Sequence, residues 1–157
     1  METKLAVPVK MEKDVFLKLF SDQRFFFSNF TPFTIVKEED DSVFYLYGDF
    51  YTMFSSFDVE ARVRKYVSKD SVIYVLVVEP GLIQESSSKS IDSSFKGVPP
   101  KGNGKITISH LLEEIGIAID YSGDREKPIV NFISNRMKKQ IKNFDNIVNM
   151  ERIRRRL

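Results

Sequence analysis

Carboxylates that follow a strongly apolar segment are the residues best suited to chemistry in this sequence. Glu79 and Glu85 come after the apolar residues 72–78, and Lys89 follows within the same serine-rich stretch. Two carboxylates can hold a divalent cation such as Mg²⁺, which activates water and neutralises charge on a phosphate, and a lysine can assist as a second electrophile. We therefore predict catalytic roles for Glu85, Glu79 and Lys89, with Glu85 and Glu79 as metal ligands. The alternative for each residue is a solvated loop side chain.

Asp58 and Glu60 form a second acidic pair, which follows Gly48 and Asp49. This arrangement is similar to the nucleotidyltransferase pattern, in which a Gly-Ser turn precedes an acidic-apolar-acidic metal-binding pair, although Asp49 replaces the serine. Carboxylates at this position also suit the first turn of a helix, where the macrodipole stabilises them. Asp58 and Glu60 are therefore predicted only as reserve metal ligands.

The C-terminal end of the chain is strongly basic. Residues 136–157 carry a formal charge of +6, whereas the rest of the chain carries −4. Such asymmetry is expected when one end of a protein meets the phosphates of duplex DNA, and a solvated helix face is the alternative. The residues predicted to contact DNA are Lys138, Lys139, Lys142, Arg152, Arg155 and Arg156.

Length and composition indicate one folded domain over residues 1–157. The absence of cysteine excludes disulfides, thiolate metal sites and a cysteine nucleophile. The longest apolar run is too short to cross a bilayer, and residues 1–13 are too charged for a signal peptide. We therefore expect a soluble intracellular protein with no membrane partner.

Hydrophobic spacing predicts the elements that must position these groups. Helical spacing predicts helices over residues 11–20, 58–69, 108–119, 129–141 and 147–157. Aromatic and β-branched runs predict strands over residues 24–30, 33–37, 43–47 and 72–78, with the last strand central. Serine, glycine and proline predict a long loop over residues 80–105. This order predicts an α+β fold, a small and mainly antiparallel sheet with helices packed against it.

A cysteine-free chain of this length, with a serine-rich loop carrying Glu85 and a basic helical end, resembles the small double-stranded DNA nucleases of lipothrixviruses, filamentous viruses of hyperthermophilic archaea. The resemblance implies a distantly nucleotidyltransferase-like fold and a nuclease that cleaves linear duplex DNA in the host cytoplasm. It implies Glu85 as the catalytic carboxylate. The alternatives are a non-enzymatic DNA-binding or virion-associated protein, for which the basic end suffices, and a protein-interaction module with an aromatic sheet face.

Overall fold

An antiparallel sheet of seven strands forms the framework of the described part of the chain. A computed structural model describes residues 1–83 and 96–157, so the predicted residues Glu85 and Lys89 lie outside the described residues. The elements are β1 (Glu2–Pro8), α1 (Lys13–Phe20), α2 (Gln23–Phe30), β2 (Thr34–Glu38), β3 (Val43–Tyr51), β4 (Ser56–Val67), β5 (Ser71–Val78), β6 (Gly102–His110), β7 (Glu114–Gly123), α3 (Glu126–Ile141) and α4 (Phe144–Arg155).

The strands lie in the order β1-β7-β6-β5-β4-β3-β2, so β2 to β7 form a meander and β1 joins its far edge. Strand β5 pairs with both β4 and β6, which confirms residues 72–78 as a central strand. The helices pack on one face of this sheet, and the predicted α+β class is confirmed. Within the described residues, no helix is both long and apolar enough to span a membrane.

Aromatic side chains fill the space between the sheet and the helices. Tyr74 on β5 stacks nearly parallel to Phe26, with ring centroids 5.5 Å apart, and meets Phe27 edge-on at 4.9 Å. The Tyr74 hydroxyl donates a 2.6 Å hydrogen bond to the carbonyl of Phe20, so its polar atom is satisfied inside the core. Burial of each large apolar side chain stabilises the fold by roughly 1.5–3 kcal/mol.

Residues 24–30 form helix α2, so the strand predicted there is wrong. The Asp22 side chain accepts hydrogen bonds from the backbone N–H groups of Arg24 and Phe25, at 3.0 and 3.2 Å, and so caps the helix. The phenylalanines of this run then pack both toward the sheet and toward the neighbouring helices. Capping and burial therefore outweigh the β-propensity of the aromatic residues.

The helices predicted over residues 58–69 and 108–119 are also wrong, because these residues lie in β4 and in β6 and β7. Val59 and Val63 are four residues apart, a spacing that fits one face of a helix and one face of a strand equally well. The deciding signal is the alternation of buried apolar residues, which continues through Phe57, Val59, Ala61 and Val63 and again through Ile115, Ile117, Ile119 and Tyr121.

The other predicted elements are present with shifted ends. Helix α1 covers most of residues 11–20, and α3 contains residues 129–141 and begins three residues earlier. Strand β3 extends beyond residues 43–47 to Tyr51, and α4 begins at Phe144. The predicted loop over residues 80–105 is too long, because β6 already begins at Gly102.

Candidate ligand-binding groove

A groove of about 1170 Å³ lies where α2, β2, the end of β3 and α3 meet. Strand β2 is one of the two edge strands of the sheet, and residues of β2 and α3 line the space between them, which is open to solvent. The lining residues that carry the argument are Phe33, Ile35, Tyr51, Phe132, Arg136 and Lys139.

One wall of the groove is aromatic. The ring of Phe132 on α3 lies 4.7 Å from the ring of Phe50 and 4.9 Å from that of Tyr51, measured between centroids. Phe33 packs on the other side of Phe50 at 5.2 Å. Because Phe50 and Phe33 are buried, the half-buried Phe132 and the exposed Tyr51 are held on a rigid base. This wall can stack against an apolar or aromatic group.

Cationic side chains also line the groove, and they differ in whether they form an ion pair with a carboxylate. Arg24 binds Glu38 through two hydrogen bonds of 2.9 and 2.8 Å, and this contact lowers the pKa of Glu38. Arg136 and Lys139 are exposed, and neither forms an ion pair with another residue in the described part of the chain. Arg136 and Lys139 therefore line the same groove as the aromatic wall, an arrangement suited to a ligand with an anionic group and an apolar body.

The reserve ligand Asp58 is a strand residue with two protein donors. Its carboxylate accepts hydrogen bonds from the Tyr47 hydroxyl at 2.6 Å and from the Lys96 ammonium at 2.7 Å. Lys96 also lies 3.5 Å from Asp49. Burial and the contact with Asp58 raise the pKa of Tyr47 to about 12, and the hydrogen bond to Asp58 raises the pKa of Lys96. Asp58 thus fastens Lys96 to the sheet.

Glu60, the other reserve ligand, is only 5% exposed. Its carboxylate accepts hydrogen bonds from the backbone N–H groups of Ile83 at 2.9 Å and Gly81 at 3.3 Å. Asp58 and Glu60 therefore lie on a strand and not at a helix N-terminus, and their oxygens accept hydrogen bonds from protein donors. Their role as reserve metal ligands stays a prediction. Across residues 1–83 and 96–157, no group of three or more His, Asp or Glu side chains is placed to hold a metal.

Glu79 follows β5 directly and is exposed, as the prediction of a catalytic strand-end residue requires. Its backbone N–H donates to the carbonyl of Glu60 at 3.1 Å, which fixes its main chain beside β4. Glu85 and Lys89 lie outside the described residues, so the grouping of these three residues stays a prediction.

The basic C-terminal residues divide into two groups. Arg152 pairs with Glu12 at 3.3 Å, and Arg155 binds both Asp22 and Glu151 at 2.5 Å. These contacts fasten α4 to the beginning of α1 and to the cap of α2. Of the residues predicted to contact DNA, those that stay exposed are Lys138, Lys139, Lys142 and Arg156.

The sequence predictions include only Lys139 among the residues that form the groove, and assign it to DNA. The available signal was on α3, where Phe132, Arg136 and Lys139 follow one another at i, i+4 and i+7 and so share one helix face. A face that mixes an aromatic residue with two cations indicates a binding surface rather than a core stripe.

Solved structures with the same architecture show the fold class of the chain. Protein CV1439 from Chromobacterium violaceum has a TM-score of 0.54 at 11% identity, covering 91% of this chain and 95% of that one. DR_A0006 from Deinococcus radiodurans has a TM-score of 0.53 at 10% identity, with 92% and 93% covered. The di-domain ARO/CYC StfQ from the steffimycin biosynthetic pathway has a TM-score of 0.50 at 11% identity, with 92% and 49% covered.

The fold shared with these structures is an antiparallel sheet with helices packed on it, and the expected likeness to nucleotidyltransferases is not supported. Residues 1–157 match a protein-family model whose description reads "-like:-like", and the chain belongs to that family. The description names no substrate or activity. No curated protein matches the chain.

Proposed function

We propose that the protein binds an amphipathic anion in the groove between α2, β2 and α3. The observation that carries this proposal is the joint presence, in a space of about 1170 Å³, of an aromatic wall and of Arg136 and Lys139 without carboxylate partners in the described chain. StfQ, a neighbour of the same fold, is an ARO/CYC protein of a biosynthetic pathway, which supports a small-molecule ligand.

The chemistry of the groove defines the ligand class. A carboxylate, sulfonate or phosphate group would accept hydrogen bonds from Arg136 and Lys139, and charge-assisted bonds of this kind contribute about 1.5–3 kcal/mol each. The apolar body would lie against Phe132 and Tyr51, where burial removes apolar surface from water. The groove is large enough for a ligand of ordinary small-molecule size.

Anilinonaphthalene sulfonate, a fluorescent aromatic anion, is the probe for this test. The double variant Arg136→Gln/Lys139→Gln should weaken probe binding by roughly tenfold for each cation removed. The matched control is Lys138→Gln/Lys142→Gln, which removes the same charge from the same end of α3 but outside the groove lining. Dodecanoate should displace the probe, whereas dodecanol should displace it poorly.

Equal weakening by the control pair would contradict the proposal, because probe binding would then follow net charge alone. Displacement by dodecanol as effective as by dodecanoate would also contradict it, because the cations would then contribute nothing to recognition.

Nuclease action on linear duplex DNA is a second proposal, favoured by the exposed cations outside the groove, Lys138, Lys142 and Arg156. In this proposal the protein acts in the host cytoplasm, the basic end contacts the DNA backbone, and Glu85 is the catalytic carboxylate. Mg²⁺ would be the metal. A non-enzymatic DNA-binding or virion-associated protein would use the same cations without cleavage.

A further inference from the structure

The turn between β3 and β4 presents unusually exposed apolar side chains. Met53 is 90% exposed and Phe54 is 93% exposed, although large apolar residues are normally placed in the core. Two further exposed apolar residues, Tyr51 and Val98, lie beside the turn. We call these four residues, Tyr51, Met53, Phe54 and Val98, the apolar tip.

Hydrogen bonds within the turn hold it in this form. The backbone N–H of Thr52 donates to the carbonyl of Ser55 at 2.7 Å. The Thr52 hydroxyl accepts from the backbone N–H groups of Ser55 at 3.2 Å and Phe54 at 3.3 Å. The turn therefore satisfies its own polar groups while the side chains of Met53 and Phe54 point outward.

Val98 is brought to the same place by its neighbour in the chain. The backbone N–H of Gly97 donates a 2.7 Å hydrogen bond to the carbonyl of Ser56, the first residue of β4. Val98 therefore lies next to the turn although it is far from it in sequence. Two separate chain segments contribute apolar side chains to one end of the sheet.

Charge adjoins the apolar tip on one side. Tyr51 belongs both to the tip and to the groove, which Arg136 and Lys139 also line. The apolar tip beside Arg136 and Lys139 is complementary to a surface in which a negatively charged outer layer covers an apolar interior. An anionic lipid bilayer has this order of layers.

We propose that the apolar tip inserts into an anionic membrane surface while Arg136 and Lys139 contact the lipid head groups. The two most exposed side chains of the tip favour a bilayer over a folded protein partner, because on their own they are too small for a stable protein interface. Met53 and Phe54 together offer on the order of 400 Å² of apolar surface, about half of the roughly 800 Å² per partner in a stable protein interface. The proposal does not require that the groove hold a ligand.

A tryptophan placed in the tip reports insertion, because the chain contains no tryptophan. Phe54→Trp should give a blue shift of its fluorescence with vesicles of phosphatidylcholine and phosphatidylglycerol, and none with phosphatidylcholine alone. The shift should weaken as salt rises, since added ions screen the head groups. The matched control is Leu112→Trp, because Leu112 is 91% exposed in the turn between β6 and β7 at the opposite end of the sheet.

Vesicle sedimentation provides a second measurement. Met53→Ser/Phe54→Ser should lower the affinity for anionic vesicles at least about tenfold, since two inserted side chains are lost. Leu112→Ser should leave this affinity unchanged. The tip variant should also bind anilinonaphthalene sulfonate as the parent does, so that a failure of docking is separated from a failure of the groove proposal.

Several results would overturn membrane docking. They are an equal shift for both tryptophan reporters, an equal shift with neutral and anionic vesicles, and parent-like sedimentation of the tip variant. A concentration-dependent shift of Phe54→Trp without vesicles would assign the tip to self-association and would also overturn the proposal.

Discussion

The Tyr47 hydroxyl on β3 donates a 2.6 Å hydrogen bond to the Asp58 carboxylate on β4, so the two strands are joined by side chains as well as by their ladder. Burial and this bond raise the pKa of Tyr47 to about 12, above the value of about 10 for a free phenol. A group whose pKa is raised by folding stabilises the folded state fully below the unfolded pKa. The contribution disappears as pH rises through the folded pKa.

The pH dependence of stability therefore tests this contact. For the parent protein, the free energy of unfolding should fall between about pH 10 and pH 12. In this range Tyr47 loses its proton in the unfolded chain but keeps it in the folded protein. In Tyr47→Phe the free energy of unfolding, measured with urea at a series of pH values, should fall less steeply with pH. A pH titration followed by tyrosinate absorbance should show one fewer tyrosine that ionises at high pH. Tyr66→Phe, which changes an exposed tyrosine, should keep the parent slope.

The buried hydroxyl of Tyr74 gives a prediction for the core. Tyr74→Phe removes its hydrogen bond to the Phe20 carbonyl and should lower the free energy of unfolding by about 1–2 kcal/mol. Phe26→Ala deletes the ring stacked on Tyr74 and should cost about 3–5 kcal/mol. Chemical denaturation measures both values. A larger loss for Tyr74→Phe than for Phe26→Ala would contradict this description of the core.

Binding of duplex DNA tests the exposed basic residues. Replacing Lys138, Lys139 and Lys142 with Gln should weaken binding to unrelated sequences equally and reduce the log–log salt slope by about 2 to 3 units. Lys4→Gln, on the edge strand β1, should leave the slope unchanged. Arg155→Gln should instead lower stability, since Arg155 joins α4 to Asp22. An unchanged slope in the triple variant would remove this surface from DNA contact.

Cleavage of DNA tests the proposal that Glu85 is a catalytic carboxylate. Parent protein should degrade linear duplex DNA with Mg²⁺ and stop when a chelator is added, and Glu85→Gln should slow cleavage by about 10²- to 10⁴-fold with little change in DNA affinity. Glu113→Gln, which changes an exposed carboxylate in the turn between β6 and β7, should cut like the parent. If the parent never cuts, the enzyme proposal is wrong and the non-enzymatic alternative takes its place.

The fold class and the central strand were predictable because β5 is apolar on both faces over a short run. The neighbouring strand β4 was not predictable, because Val59 and Val63 fit both the helical and the strand period. Only the burial of Phe57 before them and of Ala61 between them resolves the ambiguity. Helix α2 was missed for a different reason. Its aromatic residues favour strands locally, and their helical form depends on the Asp22 cap and on surfaces supplied by distant elements.

The groove was beyond prediction because its parts are far apart in sequence. Tyr51, Phe132 and Phe33 meet only after β3, α3 and the segment before β2 have packed around Phe50. The sequence shows the cationic residues, but whether a carboxylate forms an ion pair with each of them depends on contacts that exist only in the folded protein. Arg155 and Lys139 look equivalent in the sequence, and the structure gives partners to Arg155 alone.

The chain segments on either side of residues 84–95 form hydrogen bonds to nearby residues of strand β4. Ile83 is bound to Glu60, and Gly97 is bound to Ser56, four residues away or about 13 Å along the strand. The two chain segments that flank residues 84–95 are therefore both anchored to the first half of one strand, and a substitution that disturbs the beginning of β4 should loosen both anchors together.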